Sequence, residues 1–270
     1  MDSKSVSSSS DLPRIAIIRM EGTNNEDEAY YSFKRSGSLP NFIHINEISR
    51  GLVDLDDYSS IFIPGGFSAG DYVRAGAIFA ARLRYSVMDK LLKFIDTGKP
   101  VIGVCNGFQV LAELGLIPDV DGKKGRVVTL APNESFRYEC RYVYFKMASK
   151  NKIFSKRFKI GEPRQVPVGH AEGRIRAVNK NLLERISDNN QILFKYSNPE
   201  GDGCGYPWNP NGSDLDTAAI TNPEGNVVGL MPHPERVYYP FQMMGKEMTG
   251  ERGTGKDFFD SIVEYTRKNR

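Results

Sequence analysis

The sequence is poor in the residues that disulfide-bonded, zinc-binding and membrane-spanning proteins require. It has three cysteines and three histidines in 270 residues. The cysteine number is odd and no two cysteines have C-x-x-C spacing, which argues against a disulfide framework and against a structural zinc site. No apolar run approaches the length of a membrane span, and no secretory signal pattern is present. We therefore expect a cytoplasmic protein without a bound metal.

The sequence also lacks a large excess of positive or negative charge. The chain has 36 basic and 33 acidic residues, a formal net charge of +3, and no basic stripe with interleaved aromatic residues. This balance does not favour a nucleic-acid partner. The first eleven residues are polar and Ser-rich, which is typical of a flexible tail. We expect residues 12–270 to form a single domain, since 40% of all residues are hydrophobic and the chain is long enough to bury a core.

Short apolar segments alternate with segments of helical periodicity in the first half of the chain. This alternation predicts an α/β fold with a doubly wound, mostly parallel open sheet. The second half has several β-rich segments, which we expect to extend the same sheet as antiparallel or mixed strands. The predicted strands cover residues 14–20, 42–46, 61–63, 101–104, 191–197, 217–221 and 226–231, with further β-rich sequence at 125–146. Helices are predicted from residue 26, over 88–96, after residue 105, and over 255–268.

The most informative stretch is the sequence G-V-C-N-G around Cys105. A buried strand, Val101–Val104, leads into it, and apolar residues at helical spacing follow. Small residues on both sides of a cysteine at a strand-to-helix turn follow the logic of the G-x-S-x-G nucleophile elbow. A helix N-terminus favours thiolate over thiol, and the N–H of Asn106 would point at the oxygen of an attacked carbonyl. Gly65 and Gly66 also follow a strand end, so we expect them near Cys105.

A cysteine nucleophile needs a base, and the chain offers three histidines. His44 alternates within a predicted strand and is interpreted as a half-buried structural residue. His170 and His233 each begin an H-x-E triplet, with Glu172 and Glu235 as possible orienting groups. His233 is favoured because it follows a strong strand and is flanked by two prolines that restrict its backbone. His170 lies in a Gly-rich segment that we interpret as a loop, and it remains open as a base, a lid residue, a substrate contact or a surface residue.

Several motifs, taken together, resemble the class I glutamine amidotransferases. They are P-G-G at 64–66, G-V-C-N-G-F-Q at 103–109 and H-P-E at 233–235. Within these enzymes, R-M-E-G-T-N at 19–24, P-G-G-F-S-A-G-D-Y at 64–72 and G-L-M-P-H-P-E-R at 229–236 resemble the glutaminase subunits of phosphoribosylformylglycinamidine synthase. The likeness extends from about residue 14 to residue 265, in the same order throughout.

The resemblance implies a Cys-His-Glu triad of Cys105, His233 and Glu235 that hydrolyses glutamine to glutamate and ammonia. It implies that the N–H groups of Gly66 and Asn106 hold the oxyanion, with Gly65 as a less favoured choice. Gln109 would line the glutamine pocket. For His170 and Glu172 the resemblance implies a loop over the site or an interface with the synthetase.

The resemblance also implies partners. A large synthetase subunit would bind ATP and magnesium and use the ammonia in purine synthesis, and a small accessory subunit would complete the complex. This chain itself should need no cofactor. The segment at 250–256 has the spacing of a phosphate-binding loop, but Asp257 replaces the required Ser or Thr and no apolar strand precedes it. We interpret the segment as a loop before the last helix.

Three alternatives remain open. The chain could be an amidotransferase that serves another synthetase, although F-S-A-G-D-Y after P-G-G favours the purine enzyme. It could be a cysteine hydrolase or chaperone-like protein on a similar sheet, but such proteins lack H-P-E at this place. It could also be a catalytically silent regulatory or scaffolding subunit, against which the intact Cys105, His233 and Glu235 argue.

Overall fold

A computed structural model describes residues 12–120, 122, 125–203, 205–245 and 252–269, apart from the side chain of residue 180. The predicted tail at 1–11 lies outside these residues and stays a prediction, as does the single-domain organisation. The strands are β1 (Arg14–Arg19), β2 (Leu39–His44), β3 (Ser60–Ile63), β4 (Val101–Val104), β5 (Val128–Pro132), β6 (Glu139–Met147), β7 (Pro163–His170), β8 (Glu172–Ala177), β9 (Ile192–Ser197), β10 (Thr217–Thr221) and β11 (Val227–Leu230). The α-helices are α1 (Glu26–Arg35), α2 (Ile45–Ser49), α3 (Ala77–Ser86), α4 (Met88–Asp96), α5 (Asn106–Leu114), α6 (Lys180–Asp188) and α7 (Thr254–Lys268).

Nine of these strands form one sheet in the order β2-β1-β3-β4-β11-β10-β9-β6-β7. The five strands from β2 to β11 are parallel, and the rest pair antiparallel. The predicted fold class, a mostly parallel sheet with an antiparallel extension, is confirmed. One detail differs from the prediction. Strands β5 and β8 are not part of the nine-stranded sheet and pair with each other as a separate two-stranded sheet.

Helices cover both faces of the parallel half. Gly103 and Gly229 are paired in register on neighbouring strands, and a Cβ on either would collide with α5, at Gly107 or Phe108. Helix α5 therefore packs on the face of the sheet toward which a Cβ of Gly103 or Gly229 would point. Side chains alternate along a strand, so Phe62, one residue before the position paired with Gly103, points to the opposite face. There it meets the rings of α1 and α7, Phe33 at 5.2 Å and Phe259 at 5.9 Å between centroids.

Some predicted boundaries were wrong. The second strand ends at His44 rather than at residue 46, because Ile45 begins α2. The His44 side chain accepts a hydrogen bond from the Asn46 N–H at 3.2 Å, and Glu47 accepts from the His44 N–H at 2.7 Å, which together form a capping box. The interpretation of His44 as a half-buried structural residue agrees with this geometry. Four further elements, α3, β7, β8 and α6, were not predicted at all.

The topology places the chemically interesting segments at one edge. The parallel strands β1, β3, β4 and β11 run in the same direction, so the segments that follow them meet at the carboxyl edge of the sheet. These segments contain residues 20–25, Gly65 and Gly66, Cys105 and His233. Lys256, from the segment with phosphate-loop spacing, instead lies in the first turn of α7 and donates to Asp260 at 3.1 Å.

Among the described residues, no helix combines the length and the apolar composition needed to cross a bilayer.

Candidate active site

Cys105 occupies a strained turn between β4 and α5. Its backbone angles are φ 50° and ψ −105°, a conformation that residues with a Cβ rarely adopt. The Cys105 N–H donates to the Leu230 carbonyl at 2.8 Å, and its carbonyl accepts from the Gln109 N–H at 3.1 Å. The backbone is thus held by β11 on one side and by the first turn of the helix on the other. The predicted elbow geometry is present, with Cys105 6% exposed at the helix N-terminus.

Glycines allow the elbow to pack this closely. A Cβ on Gly107 would lie 2.0 Å from the carbonyl oxygen of Ile63, the last residue of β3. A Cβ on Gly103 would lie 2.5 Å from the carbonyl oxygen of Gly107. The small residues on both sides of Cys105 are therefore required for packing of the helix against its own strand and the next one.

His233 and Glu235 form a buried pair just beyond β11. The imidazole Nδ1 lies 2.5 Å from Glu235 Oε1, and both residues are 3% exposed. Pro234 begins a short 3₁₀ turn, which brings the glutamate back toward the imidazole. The His233 N–H donates to the Pro167 carbonyl at 2.9 Å and anchors the backbone to β7. The H-x-E triplet thus has the geometry that fixes a catalytic tautomer.

The structure brings His233 and Cys105 together over Gly65. A Cβ built on Gly65 would lie 2.9 Å from His233 Cε1 and 3.3 Å from Cys105 Cβ, so a single methyl group would touch both side chains. Burial disfavours the imidazolium, but the charges of Glu235 and Cys105 outweigh it and raise the pKa of His233 to about 10. At neutral pH His233 is therefore an imidazolium that can stabilise a thiolate and protonate a leaving group.

The interpretation of His170 as a loop residue was wrong. His170 ends strand β7, is 3% exposed, and packs one ring face against the backbone of Gly173, where a Cβ would come within 2.7 Å. Glu172 does not orient it, because the His170 Nδ1 faces Asn133 Oδ1 at 3.3 Å. Burial and the positive charge of His233 lower the pKa of His170 to about 3, so it does not compete for the role of the imidazolium.

The predicted oxyanion donors lie at the two sides of Cys105. Asn106 is the first residue of α5, and N–H groups of a first helical turn have no acceptor within the helix. Gly66 lines the same cleft with φ +126°, and a Cβ there would lie 2.3 Å from Asn24 Oδ1. That Asn24 oxygen accepts from the N–H of Phe67 at 3.0 Å, which fixes the loop. Gly65 lies directly beneath the cysteine and the histidine.

A polar chain links the elbow helix to the neighbouring loops. Asn106 Nδ2 donates to Asp71 Oδ1 at 3.1 Å and to Gln109 Oε1 at 3.0 Å. Gln109 Nε2 in turn donates to the Glu172 carbonyl at 2.5 Å, and the Glu172 carboxylate accepts from the Ala75 N–H at 3.1 Å. Gln109 and Glu172 therefore share one wall of the cleft, and Glu172 is held there by its backbone as well as by its side chain.

Sequence reasoning missed Asp71. Burial, and then the nearby charge of Glu172, raise the pKa of Asp71 to about 6, while hydrogen bonds from Gly76 and Asn106 act in the opposite direction. Asp71 belongs to the F-S-A-G-D-Y motif, so its presence in the motif was a signal, but its contact with Asn106 depends on the left-handed conformations of Ala69, Gly70 and Asp71. No periodicity in the sequence indicates such a loop.

These residues surround a cleft of about 620 Å³, several times the volume of one amino acid. Cys105 and His233 line it, and Arg141 and Arg236 add positive charge to the lining. The lining residues are Asn24, Asn25, Gly66, Phe67, Asp71, Ala75, Cys105, Gln109, Tyr138, Cys140, Arg141, Tyr142, Pro167, Val168, Gly169, His170, Ala171, Glu172, His233, Arg236 and Met244.

The chain is similar to known proteins over most of its length. A family model for the CobB/CobQ-like glutamine amidotransferase domain matches residues 12–266. The phosphoribosylformylglycinamidine synthase subunit PurQ of Picrophilus torridus is 55% identical over 257 residues, which cover 95% of this chain and 100% of that protein. The PurQ subunit of Archaeoglobus fulgidus is 41% identical over 268 residues, covering 94% and 97%. A chain in the solved structure of PurLQS from Thermotoga maritima has 31% identity and a TM-score of 0.72, covering 94% of this chain and 99% of that chain. The predicted family is confirmed: the chain belongs to the CobB/CobQ-like glutamine amidotransferase domain family.

Proposed function

We propose that this chain is the glutaminase subunit of phosphoribosylformylglycinamidine synthase. The observation that carries the proposal is a buried cysteine at a strained elbow beside a His233–Glu235 pair, in a chain 55% identical to a PurQ subunit over that subunit's full length. The substrate is glutamine, and the product delivered to the partner is ammonia.

In the first half of the reaction, the Cys105 thiolate attacks the carboxamide carbon of glutamine. The negative charge moves to the carbonyl oxygen, where the Asn106 N–H and an N–H of the Gly65–Gly66 loop stabilise it. The His233 imidazolium gives its proton to the amide nitrogen, the C–N bond breaks, and ammonia leaves a glutamyl thioester. Glu235 holds the imidazole in the orientation and charge state that this transfer needs.

In the second half, neutral His233 takes a proton from water as the water oxygen attacks the thioester carbon. Collapse of the tetrahedral intermediate expels the Cys105 thiolate and releases glutamate. Gln109 and Glu172 line the cleft beside the reacting groups, where they contribute to binding the amino-acid part of glutamine.

The ammonia is used by other polypeptides. We propose a complex with a large, ATP- and magnesium-dependent synthetase subunit and a small accessory subunit in the cytoplasm. The name PurLQS for the Thermotoga maritima structure, which contains a chain similar to this one, supports such an assembly. In the complex, ammonia converts formylglycinamide ribonucleotide to its amidine.

The test reconstitutes the complex and supplies either glutamine or ammonia. Cys105→Ala and His233→Ala should each abolish synthesis from glutamine and leave synthesis from ammonium chloride at the wild-type rate. Full glutamine-dependent synthesis by Cys105→Ala would refute the proposed nucleophile. Loss of both activities would mean that the chain acts as a structural subunit.

A further inference from the structure

A second histidine lines the cleft and has no role in the triad. His170 is 3% exposed and lines the cleft beside His233. Its Nε2 is buried and has no hydrogen-bond partner within the described part of the chain. A buried polar atom of this kind costs about 1 to 3 kcal/mol of stability, so its retention calls for an explanation.

The neighbouring asparagine determines which nitrogen of His170 carries the proton. Asn133 Nδ2 donates to the carbonyls of Arg137 at 2.9 Å and His170 at 2.7 Å. The orientation of the Asn133 amide is therefore fixed, and its Oδ1, which can only accept, faces His170 Nδ1 at 3.3 Å. Nδ1 must be the protonated nitrogen. Nε2 is left as an acceptor with an unused lone pair.

This acceptor is retained at working pH. Burial and the charge of His233 hold the pKa of His170 near 3, so the ring stays neutral. The cleft thus contains two imidazoles with opposite functions, His233 as a donor and His170 as an acceptor.

A second acceptor lies beside the nucleophile. The carbonyl oxygen of Gly169 is 3.8 Å from Cys105 Sγ. Strand β7 is an edge strand of the sheet. Its Pro167 carbonyl points outward, away from the neighbouring strand, and accepts a hydrogen bond from the His233 N–H. Because carbonyl direction repeats every two residues along a strand, the Gly169 carbonyl faces the same side. This carbonyl points toward the reacting groups and away from β6.

We propose that His170 Nε2 and the Gly169 carbonyl accept the two N–H groups of the substrate carboxamide and then hold the nitrogen as it leaves. This inference rests on the proposed glutaminase activity. A primary amide has two N–H donors, and the cleft lining offers two acceptors, the Gly169 carbonyl 3.8 Å from Cys105 Sγ and the Nε2 of His170, which is unpaired among the described residues. While the nitrogen takes its third proton from His233, the two acceptors keep its lone pair directed at the imidazolium. An ester or a carboxylate has no N–H donor at this position, so His170 selects amides.

The test compares two substrates that differ only in the leaving group, glutamine and the γ-methyl ester of glutamate. In the reconstituted complex, His170→Ala should lower kcat for glutamine about ten- to a hundredfold, while ester hydrolysis stays at or above the wild-type rate. His170→Gln, whose side-chain oxygen is also an acceptor, should restore part of the amide activity. His44→Gln, a histidine change outside the cleft, should leave the ratio of the two rates unchanged.

An equal loss of amide and ester hydrolysis in both His170 variants would overturn the proposal. Nuclear magnetic resonance of the ¹⁵N-histidine-labelled wild type provides a measurement that does not depend on a variant folding. The His170 signals should show a neutral Nδ1–H tautomer from pH 6 to 9, and an Nε2–H tautomer would also overturn the proposal. If Cys105→Ala retained glutamine hydrolysis, the proposed function would fail independently of either result.

Discussion

Two histidines that begin the same H-x-E triplet reach opposite charge states in one cleft. His233 has a carboxylate 2.5 Å from its Nδ1, and the pKa of its imidazole is raised to about 10 despite complete burial. His170 has a neutral amide at the corresponding nitrogen, and burial then lowers its pKa to about 3. The charges around each imidazole, those of Glu235 and Cys105 at His233, and not the triplet itself, decide which histidine can act as an acid.

Glu235→Gln should separate the charge of the glutamate from its hydrogen bond. The amide keeps a similar shape but no longer favours the imidazolium, so burial should dominate and lower the pKa of His233. We expect kcat for glutamine to fall about 10²- to 10⁴-fold, as when a triad carboxylate becomes an amide. The pH–rate profile should also change, with its alkaline limb moved to lower pH.

Glu162→Gln, at a partly exposed glutamate that pairs with Arg164 outside the cleft, is the matched control and should keep the wild-type profile. An alkaline limb that stays in place in Glu235→Gln would show that Glu235 only positions the imidazole.

At the scale of elements, the site depends on the close contact of α5 with the sheet. Gly107→Ala would place a methyl group 2.0 Å from the Ile63 carbonyl oxygen, and neither the helix nor β3 can move without shifting Cys105. We expect the free energy of unfolding to fall by about 1 to 3 kcal/mol or more. The measurement is urea unfolding at neutral pH.

Gly205→Ala is the control for this substitution, because a Cβ at Gly205 would meet nothing within 4 Å in the part of the chain that the structure describes. Its effect should stay within about 0.5 kcal/mol. If both variants unfold at the same urea concentration, the elbow can relax more than the structure indicates.

The elements that sequence reasoning missed have identifiable physical reasons. Strand β7 contains Pro163 and Pro167, which normally argue against a strand, but an edge strand tolerates a proline on its open side. That error led to the wrong placement of His170 in a loop. Helix α3 begins after Gly76 in a left-handed conformation and has no side-chain cap, so it lacks a start signal. Helix α6 did have such a signal, since Asn179 caps the Leu182 N–H at 2.8 Å.

At the scale of the whole molecule, the parallel topology explains why Cys105 and His233 could be found from the sequence. Both follow buried strands whose ends must meet at one edge, and β4 and β11 are direct neighbours. The contacts from the antiparallel half could not be found in this way. Gly169 and His170 reach the cleft only because β7 lies at the far edge and its end comes back toward His233. The position of the end of β7 beside His233 depends on tertiary packing, and no local pattern in the sequence indicates it.

The buried neutral His170 should make the whole molecule sensitive to mild acid. Its pKa is about 3 when folded and about 6.5 when unfolded, so between these values the unfolded chain binds more protons. The contribution of neutral His170 to the free energy of unfolding is therefore fully present above pH 6.5. It is lost as the pH falls, by about 2 kcal/mol between pH 6.5 and pH 5. Over the same range folded His233 stays protonated while its unfolded form completes its protonation, so it adds a slope of opposite sign that amounts to only about 0.4 kcal/mol.

Urea unfolding of the wild type and His170→Gln at pH 7.5, 6.5, 5.5 and 5.0 measures this contribution. Asp71, whose pKa is raised to about 6, gives an opposite slope below pH 6, but it does so in both proteins. The difference between the two curves therefore isolates His170. We expect the variant to lose less stability than the wild type toward pH 5, whatever its stability at neutral pH. Parallel curves would mean that His170 is already protonated at neutral pH or can reach solvent, and either result would remove its assignment as the neutral acceptor.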